Sequence, residues 1–338
     1  MAYGSKQLLS SLLRDVSRSF YLTLRVLPAA IRPQISLAYL LARTTDTIAD
    51  TELVALDQRL AALQSLREHI LGTSSRPLEL GDFESHQGSA AERALLGNCE
   101  SALELLRGLT AADRDLVVAV LQTITSGQEL DLRRFSGASQ ANIIGLQTAA
   151  ELDDYAYRVA GCVGEFWTRM CRAHLFASAR LDDAFLLANG IRFGKGLQLV
   201  NILRDVPRDL RTGRCYFPAE QLKSHGLVPS DLLQPENEGR FRPVYDQWLE
   251  EAQAHLTAGW AYTQILPRRA ARVRLACAWP LLLGARTLEL LRRGRVLEPS
   301  ERLKVSRGEV RGILLRSLVY YPWPRRWEGL FQRTCCHH

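Results

Sequence analysis

Residues 192–218 read RFGKGLQLVNILRDVPRDLRTGRCYFP, and this stretch decides the fold. Gly194, Gln198, Asn201, Ile202, Arg204, Asp205, Asp209, Arg214, Tyr216 and Pro218 hold fixed spacings within it. On a helix, Asp205 and Asp209 project from one face about 6 Å apart along the axis, with Asn201 and Gln198 one and two turns below. Such a face presents oxygen ligands to hard divalent cations. A second pair of the same spacing, Asp46 and Asp50, lies far upstream in LLARTTDTIADT, another helical stretch. Two such pairs facing one another would make a clamp for magnesium and a diphosphate.

One pair alone carries little weight. Asp is about one residue in twenty, so a chain of this length holds one such pair by chance. The surroundings of Asp46 say more: mostly apolar residues 35–41 and Arg43 flank it, which marks a largely buried helix where carboxylates need partners. Magnesium retains waters and is shared between one or two carboxylates and substrate phosphates, and paired Asp faces with nearby Arg side chains meet that need.

The 338 residues suffice for one large domain or two ordinary ones, and a hydrophobic share of 47% is ample for a core. The 43 basic against 36 acidic side chains give a formal charge of +7, which suits anionic partners such as phosphates or acidic lipid headgroups. Nucleic acid is disfavoured, because no zinc-finger spacing, basic tract or interleaved aromatic platform occurs. Seven cysteines, at 99, 162, 171, 215, 277, 335 and 336, form no CxxC in a chain well above disulfide-scaffold size. They read as reduced thiols in a cytoplasmic protein, and the terminal CysCysHisHis as a frayed tail rather than a metal site. The first twenty residues lack the apolar core of a signal peptide. The longest apolar run, residues 275–285, stops at Arg286, short of the ~18 residues that span a bilayer, so no transmembrane anchor is expected.

Helical periodicity dominates. Leu56, Leu60, Leu63, Leu66 and Ile70 form one stripe before a stop at Gly72, and Thr110 with Asp113 resembles a capping box opening an apolar run. Strand alternation is scarce. Breaks rich in Gly, Ser and Pro at 72–90, around 136–140 and at 224–240 read as loops between helices. No solenoid repeat is evident. The informative stretches, 17–50, 155–171, 194–218 and 276–308, spread over most of the length. The expectation is one all-α domain over residues 1–338, a helical bundle around a central cavity lined by facing helices.

Ser17, Arg18, Ser19 and Phe20 precede an apolar helix, and admit either an N-terminal cap or a phosphate grip. Tyr155, followed by Val159, Ala160, Gly161 and Gly164, sits on a helix with small residues on one side. That pattern marks a close helix crossing, or a phenol pointing into an apolar cavity, where it relays a proton and its ring faces a carbocation.

These residues resemble the head-to-head trans-prenyl transferases, the squalene and phytoene synthases, and stand nearest the squalene synthases. SRSF at 17–20, YLLARTTDTIAD at 39–50, YAYRVAGCVG at 155–164 and QLVNILRDVPRDLRTGRCYFP at 198–218 match signature blocks in order, within residues 15–310. The resemblance implies an all-α isoprenoid-synthase fold in which two prenyl diphosphates share one cavity. By it, Asp46, Asp50, Asp205 and Asp209 hold Mg2+, and Tyr155 is the catalytic tyrosine. Ser17, Arg18, Ser19, Phe20, Tyr39, Arg43, Gln198, Asn201, Arg204 and Arg214 contact substrate, water or metal. Ala276, Cys277, Ala278 and Pro280 resemble a cavity-lining Cys-Ala-x-Pro helix of the squalene synthases, with Cys277 and Pro280 against substrate. Lys304 and Arg307, with Val305 and Gly308, resemble the basic segment near the reductant, here NADPH; a kinked helix and a solvated loop are the alternative readings.

There are departures. Pro207 stands between the two Asp of the second motif and frees the carbonyl of Leu203, so a kink is expected. Arg208 replaces a commonly acidic residue, and residues 291–296 replace an Asn-rich stretch. The activity implied is squalene synthase: condensation of two farnesyl diphosphates through presqualene diphosphate, then reduction by NADPH. The rivals are a phytoene or dehydrosqualene synthase, a presqualene diphosphate or hydroxysqualene producer, and a non-catalytic lipid-binding or assembly protein of the same fold. The last would be expected to have lost the Asp motifs. The tail 311–338, with LLRSLVYYPWPRRWEGLF at 314–331, reads either as a peripheral membrane contact or as a packed helix. A monomer or weak oligomer is expected.

Overall fold

The leucine stripe of residues 56–70 buries Leu63, Leu66 and Ile70 on the helix Leu56–Leu71, and Gly72 ends it at φ 71°, where a side chain would be strained. A computed structural model describes residues 11–17, 20–74, 76–298 and 303–335, and the chain in it is all-α. It divides into two compact units, Met1–Ser136 with Phe166–Ala179, and Gly137–Glu165 with Arg180–His338.

The first unit contains α1 (Leu13–Ser17), α2 (Phe20–Val26), α3 (Arg32–Ala49), α4 (Leu56–Leu71), α5 (Ala90–Gly97), α6 (Cys99–Arg107) and α7 (Ala111–Arg134). Helices α3, α4 and α7 pack on one another through fully buried Leu41, Ile48, Leu63, Leu66, Val117 and Leu121. Each such side chain contributes about 1.5–3 kcal/mol through the apolar surface it removes from water. Thr110 caps α7, its hydroxyl accepting from the Asp113 amide at 3.2 Å. The expected capping box is only half made, because the Asp113 carboxylate is bound by His174 Nε2 at 2.6 Å and Gln34 Nε2 at 3.1 Å. Phe166, Met170 and Phe176 complete this core.

The second unit holds β1 (Ile144–Gly145), α8 (Ala149–Ala156), the first turn of α9 (Cys162–His174), α10 (Asp183–Arg211), β2 (Arg214–Cys215), α11 (Ala219–Ser224), α12 (Glu238–Ile265), α13 (Ala271–Arg293), α14 (Arg307–Tyr320) and α15 (Pro324–Cys335). Residues 224–240, expected as a loop, instead contain two 3-10 turns, Pro229–Leu233 and Pro235–Asn237, and the start of α12. Each Pro opens its turn, where a missing amide costs nothing. The strands β1 and β2 pair in parallel, Ile144 with Arg214 and Gly145 with Cys215.

Helix α10 is the axis of this unit, packed against α12 and against the run from α8 to α9. Between α8 and α9 the chain forms a π-turn, Tyr157–Gly161. There the backbones touch: a Cβ on Gly164 would lie 1.8 Å from the Gly190 carbonyl oxygen, and one on Gly194 would lie 2.0 Å from that of Ala160. The small residues after Tyr155 therefore mark a close crossing. At Pro207 the helix does not break. The Leu203 carbonyl that Pro207 deprives of its donor takes a 2.9 Å bond from the hydroxyl of Tyr245 on α12, fully buried against Phe217 and Phe241.

Candidate active site

In the first unit, α3 carries Tyr39, Arg43 and Asp46 one turn apart, and its last turn ends on Asp50. Asp50 is the C-cap residue rather than part of the helix body, yet its amide still bonds the Asp46 carbonyl at 2.8 Å, so the one-turn offset between the carboxylates survives. Asp50 is exposed and Asp46 half-buried. Gln128 Nε2, from α7, donates to Asp46 Oδ1 at 2.5 Å. Burial first, and the charge of Asp50 second, raise the Asp46 carboxyl to about 6, against the pull of Arg43 and Gln128. Arg43 donates to Glu92 at 2.7 Å. Ser17 is the last residue of α1 rather than the cap of the next helix, and its buried hydroxyl has no partner among the described residues. Arg18 and Ser19 lie outside the described residues, and of Phe20 only the backbone, opening α2, is described.

In the second unit, the final turns of α10 carry Gln198, Asn201, Arg204, Asp205 and Asp209. Arg204 grips the neighbouring Asp205 with a two-pronged bond, Nε to Oδ1 at 2.8 Å and Nη2 to Oδ2 at 2.7 Å. The helix ends at Arg211, and Gly213, at φ 83°, turns the chain into β2. This turn brings Asp209, Arg214 and Tyr216 to one narrow crevice. Tyr216 is buried, and the half-buried Tyr155 stacks on it, ring centroids 4.9 Å apart, with its hydroxyl donating to that of Tyr216 at 3.3 Å. Further along, Cys277 is buried and Pro280 half-buried on α13. Lys304 and Arg307 are exposed, Arg307 as the first residue of α14 behind its Ser306 cap. These two offer charge to phosphates but no shaped cleft.

Three partners escaped the sequence reading: Gln128 and Glu92, which hold Asp46 and Arg43, and Tyr216 as a partner of Tyr155. A signal for Gln128 existed, since the buried stripe Val117, Leu121 and Ile124 of α7 continues onto Gln128 and Asp131, polar residues where an apolar one is expected. Cys99, Cys162, Cys171, Cys215 and Cys277 are buried, and burial pushes Cys99, Cys162 and Cys215 up to about 12, so these three thiols stay protonated. No described helix is long and apolar enough to cross a membrane.

The carboxylate pairs fit magnesium. No three His, Cys, Asp or Glu converge among the described residues, but magnesium needs only one or two carboxylates when phosphates and water supply the rest. Asp46 and Asp50 repel each other at the carboxyl end of α3, where the helix dipole adds partial negative charge, and a cation relieves both.

The architecture and motifs have known counterparts. The solved structure of TcSQS in complex with ligand E5700 superposes with a TM-score of 0.75 at 22% identity, covering 98% of this chain and 97% of that one, which shows a shared fold. The squalene synthase ERG9 of Saccharomyces cerevisiae is 26% identical over 306 residues, 90% of this chain. The chain spans 66% of that relative's length, just under two thirds. The presqualene diphosphate synthase of Rhodopseudomonas palustris is 29% identical over 253 residues, 74% of this chain and 76% of that protein. The squalene/phytoene synthase family model matches residues 13–309, a span that takes in both Asp motifs, Tyr155 and the crevice beside Arg214. On that match the chain belongs to the squalene/phytoene synthase family.

Proposed function

We propose that this protein condenses two farnesyl diphosphates head to head through presqualene diphosphate and reduces the product to squalene with NADPH. The observation that carries the reading is the grouping of Asp209, Arg214, Tyr216 and Tyr155 beside the Arg204–Asp205 pair. It offers carboxylates for a cation, guanidiniums for a diphosphate and linked phenols for a proton. Asp46, Asp50, Asp205 and Asp209 would hold magnesium, which supplies positive charge against the departing diphosphate. Arg43, Arg204 and Arg214 bind and orient diphosphate oxygens, helped by Ser17, Arg18, Ser19, Tyr39, Gln198 and Asn201. Arg204 exchanges its bond to Asp205 for one to the substrate.

Ionisation of one farnesyl diphosphate breaks its C–O bond, and the double bond of the second attacks the allylic cation. The proton lost as the cyclopropane closes goes to Tyr155 Oη or to the released diphosphate. In the Tyr155 route its phenol, held by the bond to Tyr216, takes up this proton as it gives its own hydroxyl proton to the released diphosphate, which is the final base in both routes. Phe20, Cys277 and Pro280 would meet the hydrocarbon chains and keep out water, which would turn a cation into an alcohol. Lys304 and Arg307 would offer charge to the phosphates of NADPH, which would supply the hydride for the reduction. The same reading takes the protein as cytoplasmic, one functional domain, a monomer or weak oligomer, with peripheral membrane contact through residues 314–331. The two-way coverage shared with the presqualene diphosphate synthase supports a second reading, in which the same condensation stops at presqualene diphosphate without NADPH. The test common to both is Asp205→Ala: consumption of farnesyl diphosphate is expected to fall by about 10³-fold. Near-normal consumption would remove the clamp.

A further inference from the structure

Arg274, on α13, is 4% exposed, and no carboxylate among the described residues lies within ion-pair distance of it. Its Nη1 donates to the Leu266 carbonyl at 3.1 Å and its Nη2 to Gln264 Oε1 at 2.8 Å, while its Nε has no partner. The rings of Tyr321 and Trp327 stand 5.8 and 5.4 Å from the guanidinium. Gln264 Oε1 also accepts from Trp327 Nε1 at 3.1 Å. Two donors on that one atom identify it as the oxygen and leave the amide nitrogen, Nε2, buried without an acceptor. Two unmet donors, one of them charged, are costly in a protein interior.

Both residues line a cavity of about 120 Å³, the space of about four waters, too small for a nucleotide and large enough for one tetrahedral oxyanion. Arg268 lines it from the exposed side, and Pro324 brings the amino end of the 12-residue helix α15 to its wall, where helix amides and dipole favour an anion. Glu328 also lines it, beyond ion-pair distance of either arginine. Burial lowers the Arg274 guanidinium from its ordinary value, a tendency that a bound anion reverses.

We propose that this cleft binds a phosphate oxyanion, and that its source is the headgroup of a membrane phospholipid. The neighbouring surface favours that source. Leu315, Leu318 and Val319 share one face of α14 by their spacing, and with Trp323 in the turn that follows they are 62%, 49%, 48% and 50% exposed. Arg326 lies over the rings of Tyr320 and Trp323, so apolar and cationic groups alternate as at a lipid interface. Tyr321, Pro324, Trp327 and Glu328 lie beyond residue 309, where the family match ends, so that match assigns the cleft no role. It leans on the proposed membrane contact only for the source of the phosphate.

The full chain, in EDTA so that the carboxylate pairs hold no metal, is tested for sedimentation with phosphatidylglycerol vesicles and for calorimetric binding of inorganic phosphate. Removing one exposed basic residue by Arg311→Gln weakens vesicle binding about fivefold, the general electrostatic share of a surface arginine. Arg274→Met and Arg268→Gln are each expected to weaken it more than tenfold. The exposed Arg268 variant decides the matter if Arg274→Met fails to fold. Binding of inorganic phosphate that both variants abolish, with no vesicle binding, keeps the cleft and overturns the lipid source. Vesicle binding weakened no more than in the Arg311 control, with phosphate binding absent or unchanged, overturns the cleft and leaves the membrane contact standing.

Discussion

Replacing Tyr245 with Phe tests how α10 stays helical across Pro207, between Asp205 and Asp209. Tyr245 is fully buried, and its ring lies 5.9 Å from Phe217 and 5.6 Å from Phe241, so Phe preserves the packing and removes only the hydroxyl. Burial raises that phenol well above its ordinary pKa, so it remains a donor across the working pH range. The bond lost is the 2.9 Å contact to the Leu203 carbonyl, which Pro207 leaves without a helical donor. A net hydrogen bond contributes about 1 kcal/mol, and a buried carbonyl left unmet raises the cost to about 1–3 kcal/mol. The assay is a double-mutant cycle in urea. In a Pro207→Ala background the restored amide can serve Leu203, so Tyr245→Phe should cost less than about 0.5 kcal/mol, a coupling of about 1–2 kcal/mol. An equal cost in both backgrounds would refute the reasoning.

Three further outcomes are expected. Gly194→Ala places a Cβ 2.0 Å from the Ala160 carbonyl oxygen, so the crossing must open by about 1 Å; a loss of at least about 3 kcal/mol or of soluble protein is expected, and a wild-type melting temperature would contradict the contact. The folded metal-free protein keeps the Asp46 proton up to about 6, where the unfolded chain has lost it near 3.8. That stabilisation is complete below pH 4 and lost as pH rises through 6, so Asp46→Asn should exceed its parent by about 2 kcal/mol at pH 7, and a pH-independent difference would count against it. Glu309, held down to about 2 by the Ser306 amide first and Arg286 second, contributes stability above pH 4.5 that is lost as pH falls to 2. It is 37% exposed, so Glu309→Gln should cost only about 0.5–1 kcal/mol at neutral pH and nothing at pH 2, as thermal melts at the two pH values would show.

What was legible in the sequence was local. The stripe ending at Gly72, the Thr110 cap and the small residues after Tyr155 are statements about neighbours within a few turns, and the structure agrees with them. Pro207 shows where local reading stops, because the donor that serves the freed Leu203 carbonyl comes from 42 positions away. Gln128 reaches Asp46 across 82 positions and Glu92 reaches Arg43 across 49, and no spacing rule connects such pairs. The capping-box motif at Asp113 was half legible for the same reason, since a distant His174 takes the carboxylate. Ser17 ends α1 with a buried hydroxyl that has no partner among the described residues, and Ser19, the other candidate cap, lies outside them.

The most direct measurement is mass-coupled gas chromatography of products after incubating the chain with farnesyl diphosphate and magnesium, with and without NADPH. Squalene formed only with NADPH is the predicted result. Presqualene diphosphate regardless of NADPH would keep the condensation and contradict the reduction, and no consumption of farnesyl diphosphate at all would contradict the proposed activity.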